Sequence, residues 1–137
     1  MLTEGTLQPP LAQPWVRAYL EPLLEVPVVG KLPSPRPTQF IVVERVGGGM
    51  PTVITDMAML MVDVWADEHA DCERLALNVR EHLARAPGKR VGEHTCVSFH
   101  HLGGPVYLPD PDIGTPRYRI TCELVFRKQP IKEANNG

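Results

Sequence analysis

Between Gly103 and Pro116 the chain runs through fourteen residues dominated by glycine, proline and aspartate, with strand-like sequence on both sides. Connections inside a compact domain usually take about 4–6 residues, and one beyond about 12 is functional or disordered. This segment is restrained at several points, by Gly103-Gly104-Pro105 and by Pro109-Asp110-Pro111-Asp112, where a flexible linker would be rich in glycine and serine. It therefore reads as a shaped arm that contacts another molecule, with Gly103, Gly104, Pro105, Tyr107, Leu108, Pro109 and Asp110 as its candidate contact residues.

The sequence on either side sets the rest of the architecture. After the loop, Tyr118, Ile120, Cys122, Leu124 and Phe126 alternate with Arg117, Arg119, Thr121, Glu123 and Arg127, the pattern of a strand with one buried face. Before it, a strand is expected from about Thr95 to Leu102. Further upstream, β-branched and aromatic residues from Gln39 to Val46 precede Gly47-Gly48-Gly49 and Pro51, which read as the turn of a hairpin into a second strand from about Val53 to Trp65. In that strand Ala58, Leu60, Val62 and Val64 share one face, and Met57, Met59, Met61 and Trp65 share the other, with Asp63 among them. Both faces need cover, and the methionine face is assigned either to the core or to a partner, since the thioether suits both.

Two helices complete the set. Pro14 suits a first turn, and Trp15, Val16, Tyr19, Leu20, Leu23 and Leu24 follow at helical spacing. Pro22 is expected to kink or end this helix near Glu21, because an interior proline removes a hydrogen bond. Val26, Val28 and Val29 can form a short edge strand before the proline run from Pro33 to Pro37. Asp67 is the expected N-cap of a second helix, whose Cys72, Leu75, Ala76, Val79 and Leu83 make an apolar stripe that stops at Ala86-Pro87-Gly88. The expectation is a single α+β domain over residues 13–128, a mostly antiparallel sheet with two helices packed on one face. Residues 1–12 read as a flexible arm and 129–137 as a flexible tail.

At 137 residues the chain is long enough for one core without disulfides or metal, and its formal net charge of −2 argues against general nucleic-acid binding. Cys72, Cys96 and Cys122 are odd in number and sit in apolar patterns, so they read as buried free thiols in a reducing compartment. No apolar run approaches the roughly 20 residues that span a bilayer, so no membrane partner is expected and the protein is expected to be soluble and made in the cytoplasm.

Chemistry-bearing patterns are few. His100-His101 near Asp110 and Asp112 invites a metal-dependent hydrolase, because imidazole and carboxylate bind divalent ions together, but adjacent strand residues point to opposite faces and Asp-Pro pairs form turns. His94 and Cys96 share a face without a second pair of ligands, and His69 and His82 fit a helix surface. Gly47-Gly48-Gly49 lacks the lysine of a phosphate loop, and neither Ser34 nor Ser98 sits in a nucleophile elbow. Arg117, Arg119, Arg127 and Lys128 line the outer face of the last strand, where they suit either an acidic partner or a solvated edge. No catalytic residue, cofactor or metal is assigned.

Several passages together form a recognisable order. Leu32-Pro33-Ser34-Pro35-Arg36-Pro37 enters Phe40-Ile41-Val42-Val43; Thr55-Asp56 runs through Val62-Asp63-Val64-Trp65-Ala66-Asp67 into a helix; and Gly103-Gly104-Pro105 precedes Leu108-Pro109-Asp110-Pro111 and Pro116-Arg117-Tyr118. Over about residues 13–128 this order resembles the tail terminator, or tail completion, proteins of long-tailed bacteriophages (siphophages). The resemblance implies an α+β virion protein without catalytic residues. Such a protein assembles as a hexameric ring on the finished tail tube, ends tube growth, presents a surface to the head-tail connector, and lets DNA pass without specific recognition. It would lie at the tail-neck junction, after assembly in the host cytoplasm. A head-tail adaptor or stopper of the neck is the alternative, and a small hydrolase on His100, Asp110 and Asp112 the reading from another class.

Overall fold

A computed structural model of the chain describes residues 6–130. Helix α1 spans Ala12–Leu24 and turns Trp15, Val16, Tyr19 and Leu20 inward, as its spacing requires. It passes through Pro22 and ends at Glu25, whose backbone is left-handed and whose N–H bonds the Glu21 carbonyl at 2.9 Å. Pro22 thus does not end the helix at Glu21. It lies in the last turn, where its missing N–H forfeits one bond and its ring is exposed.

Strand β1 (Leu7–Gln8) precedes α1, and β2 (Val28–Val29) follows it. The main hairpin is β3 (Gln39–Thr52) and β4 (Thr55–Ala66). Its turn is not at the glycines: β3 continues through Gly47-Gly48-Gly49, and the chain reverses at Val53-Ile54, where the Thr52 and Thr55 hydroxyls bond at 2.8 Å. The glycines serve a bulge instead. Gly48 has φ of +150°, and a Cβ there would strike the Met57 carbonyl oxygen across the ladder.

Helix α2 (His69–Ala84) buries Cys72, Ala76, Val79 and Leu83, and its cap position is Glu68 rather than Asp67. Strand β5 (Arg90–Val91) leads into β6 (His94–Tyr107), followed by β7 (Arg117–Arg127) and β8 (Gln129–Pro130). Six strands form one sheet in the order β2-β3-β4-β7-β6-β5, antiparallel except for β2, which runs parallel to β3. The last long strand is therefore interior, between β4 and β6, and not an edge. Strands β1 and β8 pair separately, Leu7 with Pro130 and Gln8 with Gln129. This places structure in both segments read as loose, whose residues 1–5 and 131–137 lie outside the described residues.

The architecture is the expected α+β one. Both helices pack on one face of the sheet, where Ile41 and Val43 of β3, the even residues of β4 from Ala58 to Val64, and Ile120, Cys122, Leu124 and Phe126 of β7 are all fully buried. Each buried valine, leucine, isoleucine or phenylalanine among them contributes about 1.5–3 kcal/mol of transfer free energy. Polar ties fix the helices: the Tyr19 hydroxyl donates to the His82 carbonyl at 2.7 Å, and the Trp15 indole N–H donates to the His94 carbonyl at 3.1 Å.

Candidate interaction surface

The opposite face of the sheet carries no helix among the described residues. Cross-strand pairing places its rows: Met57 lies between Gly49 and Val125, Met59 between Gly47 and Glu123, and Met61 between Glu44 and Thr121. All three methionines are half-buried. They form a stripe down the middle of this face, with Gly49 and Gly47 beside Met57 and Met59 and Glu44 beside Met61. The thioethers are thus neither core nor fully solvated, the condition of an adaptable contact surface.

At one end of this face the residues are locked together. The Asp63 carboxylate accepts from Arg119 Nε at 2.8 Å and Arg119 Nη2 at 3.0 Å, and Arg117 Nη1 stands 3.9 Å away. Hydrogen bonding to Asp63 holds the Arg119 guanidinium charged, pushing its pKa up. Arg117 also donates through Nε to the Leu108 carbonyl at 2.7 Å, and its guanidinium lies 5.0 Å from the centre of the Trp65 ring. Arg36 approaches the same ring at 5.0 Å, and Phe40 stacks on it at 5.5 Å. Arg117 and Arg119, read from sequence as groups for a partner or for solvent, are engaged internally.

The long loop differs most from expectation. Gly103, Gly104 and Pro105 belong to β6, which runs on to Tyr107, so the connection proper is only 108–116. The strand passes through this region by register shifts between His101 and Gly103 and between Gly103 and Val106. Gly104 has φ of +94°, and a Cβ on it would meet the Arg119 carbonyl oxygen, so only glycine fits there. Tyr107 stacks on His69 with ring centres 4.4 Å apart, and His69 Nε2 shares a 2.6 Å hydrogen bond with the Tyr118 hydroxyl. Tyr107 therefore holds the end of β6 against α2, and removing residues from Tyr107 to Asp112 would damage the fold along with the loop.

The remaining loop folds on itself. Leu108 N–H bonds the Arg117 carbonyl at 2.8 Å, and Asp110 N–H bonds the Thr115 carbonyl at 3.0 Å. The Asp110 carboxylate accepts from the backbone N–H of Asp112 at 2.8 Å and of Ile113 at 3.2 Å, and Arg36 adds a contact at 3.4 Å. These backbone bonds hold its carboxyl below the usual aspartate range. Pro109 is exposed at the surface of this turn, and Ile113 is its most exposed apolar side chain. Sequence marked the segment as shaped, and its residues 108–116 form an anchored turn.

His100 projects from the open face beside Glu123, His101 Nε2 bonds the Gly104 carbonyl at 2.7 Å, and Asp110 is occupied in its turn. No group of three or more histidine, cysteine, aspartate or glutamate side chains is placed to hold a metal among the described residues. No described helix is long and apolar enough to cross a membrane. Sequence reasoning missed the Asp63–Arg119 pair and the His69–Tyr107–Tyr118 cluster. Pairing across strands would have found the first only with the register known.

The fold defines a small α+β domain with helices on one face of a curled sheet and an open opposite face among the described residues. Compared with known proteins, the chain matches no protein-family model, and no curated protein matches it.

Proposed function

We propose that this protein caps the completed tube of a phage tail as a ring, probing the tube with its open sheet face and offering the opposite side of the ring to the head-tail connector. The observation that carries the reading is the methionine stripe of Met57, Met59 and Met61, half-buried on a sheet face with no covering helix among the described residues. A protein that must recognise a repeating protein surface needs such a face, and methionine adapts to imperfect complementarity better than branched side chains do. The order of motifs from Leu32 to Tyr118 supports the same reading. The anchored turn at 108–116, with Ile113 67 % exposed, stands at the periphery as a second contact.

Electron microscopy of particles from a phage carrying an early stop in this gene tests the proposal. Overlong or uncapped tails beside filled, unattached heads are expected. Tails of normal length beside unjoined heads would transfer the role to a head-tail adaptor, and joined particles of normal form would overturn both.

A further inference from the structure

Trp65 carries a buried donor that its surroundings leave unmatched. Strand alternation groups it with Met57, Met59 and Met61, yet it is only 2 % exposed. Phe40 and Arg117 are its cross-strand neighbours, Phe40 stacks on its ring, and the guanidinium groups of Arg36 and Arg117 each lie 5.0 Å from the ring centre. These neighbours bury the indole without accepting from it: Nε1 is the one buried side-chain nitrogen or oxygen that lacks a hydrogen-bond partner among the described residues. Trp15 shows the ordinary arrangement, its indole N–H donating to the His94 carbonyl at 3.1 Å. A buried donor with no acceptor is costly, and native structures rarely keep one.

The same indole is a wall of a pocket of about 230 Å3. Three segments meet there. The proline-rich passage before β3 brings Arg36 and Thr38, the end of β4 brings Trp65 and the following Asp67, and the 108–116 turn brings Thr115. Phe40 adds an apolar wall. The volume falls below the about 300–1,000 Å3 of sites for drug-sized ligands, so the pocket suits one small group and not a cofactor.

The lining decides which group. Trp65 offers an N–H, and so does Arg36, whose contact with Asp110 is long at 3.4 Å and occupies one of its five donors. Asp67 offers an acceptor, and the hydroxyls of Thr38 and Thr115 can do either. The formal charges of Arg36 and Asp67 cancel. A carboxylate would bring like charge to Asp67, and an ammonium would bring like charge to Arg36 and leave the indole N–H unmatched. A primary carboxamide has an oxygen for the donors and an NH2 for the acceptor, with no net charge to desolvate.

We infer that this pocket binds a primary carboxamide, the group carried by asparagine and glutamine side chains and by small free amides. Trp65 Nε1–H donates to its oxygen, beside Arg36, and the Asp67 carboxylate accepts from its nitrogen. The inference stands independently of the tail reading, because it concerns the purified chain and a pocket beyond the methionine stripe.

The test is a titration of the full-length, 15N-labelled chain with acetamide, followed through its two tryptophan indole resonances after sequential assignment. Acetamide should move the Trp65 signal saturably, with a dissociation constant in the millimolar range open to so small a ligand, and leave the Trp15 signal in place. Acetate and methylammonium should not compete. Asp67→Ala, at an exposed site, should weaken acetamide binding by about tenfold, the loss expected for one hydrogen bond to a charged group. N-acetylglutamine methylamide separates the two sources of the group: saturation of the Trp65 signal by it assigns the pocket to a side chain of a partner protein, and its failure beside acetamide binding assigns the pocket to a small free amide. No saturable movement of Trp65, equal movement of both indoles, competition by acetate, or unchanged affinity in Asp67→Ala would each overturn the inference.

Discussion

Arg119 holds Asp63 with two hydrogen bonds across neighbouring strands, Nε to Oδ1 at 2.8 Å and Nη2 to Oδ2 at 3.0 Å, on the half-exposed face of the sheet. Two parallel bonds from a planar guanidinium fix the relative position of β4 and β7 more tightly than one bond would. Replacing Asp63 with alanine leaves Arg119 and Arg117 facing each other without their acceptor. The expected cost is about 1.5–3 kcal/mol, the range for hydrogen bonds to charged groups, read from urea unfolding midpoints. Arg119→Lys should recover only part of the pair, because an ammonium cannot reproduce the fork.

Gly104→Ala forces a Cβ against the Arg119 carbonyl at a backbone angle that other residues avoid, so a loss of about 1–3 kcal/mol is expected in thermal unfolding. Gly103→Ala is its control. Nothing lies within contact distance of a Cβ there, and the change should stay within about 0.5 kcal/mol.

The three thiols lead to a prediction about alkaline pH. Burial pushes Cys72 and Cys96 up to about 11 and Cys122 up to about 12. In the unfolded chain a thiol ionises near about 8.5, so above that pH the unfolded state releases protons that the native state keeps. Stability from this source is complete below about pH 8.5 and falls as pH rises towards the folded values. Melting temperatures across pH 8–11 should decline, and alkylation at neutral pH should become rapid only in urea concentrations that unfold the protein.

Asp110 gives the opposite sign at its own position. Backbone hydrogen bonds from Asp112 and Ile113 keep its carboxyl ionised below the ordinary aspartate range. The turn it organises is therefore intact above that range and is lost as pH falls through the lowered value. Amide resonances of Asp112 and Ile113 should report this in an acid titration, and Asp110→Ala should abolish their low-pH transition while leaving the core resonances in place.

Met59→Glu tests the open face. The side chain is half-buried, so the variant should fold with a melting temperature within a few degrees of the parent, while a phage carrying it should produce uncapped tails. Normal capping by this variant would remove the methionine stripe from the proposal.

Much of the fold is legible in the alternation of apolar and polar residues along the sequence. Ile120, Cys122, Leu124 and Phe126 are buried because every second residue of β7 faces the helices, and the stripe from Cys72 to Leu83 is buried for the equivalent helical reason. Bulges are not legible in this way. Val46 and Leu102 are extra residues only relative to their cross-strand partners, and nothing in a local window gives that register. The three glycines from Gly47 to Gly49 mislead for the same reason, since close approach of Gly48 to Met57 and a tight turn demand the same residue. Arg117 and Arg119 look free because Asp63 lies on another strand more than fifty residues earlier.

The placement of β7 in the middle of the sheet governs when the protein can exist at all. Residues 39–66 form one hairpin and residues 94–107 contribute another outer strand, yet the two are joined only when residues 117–127 slot between them. Until that stretch has left the ribosome, β4 and β6 each expose an apolar ladder awaiting its neighbour, and sequence-distant pairing of this kind is slow relative to local helix formation. Chains truncated before residue 117 lack the strand that joins the two, and are expected to aggregate or to be held by chaperones.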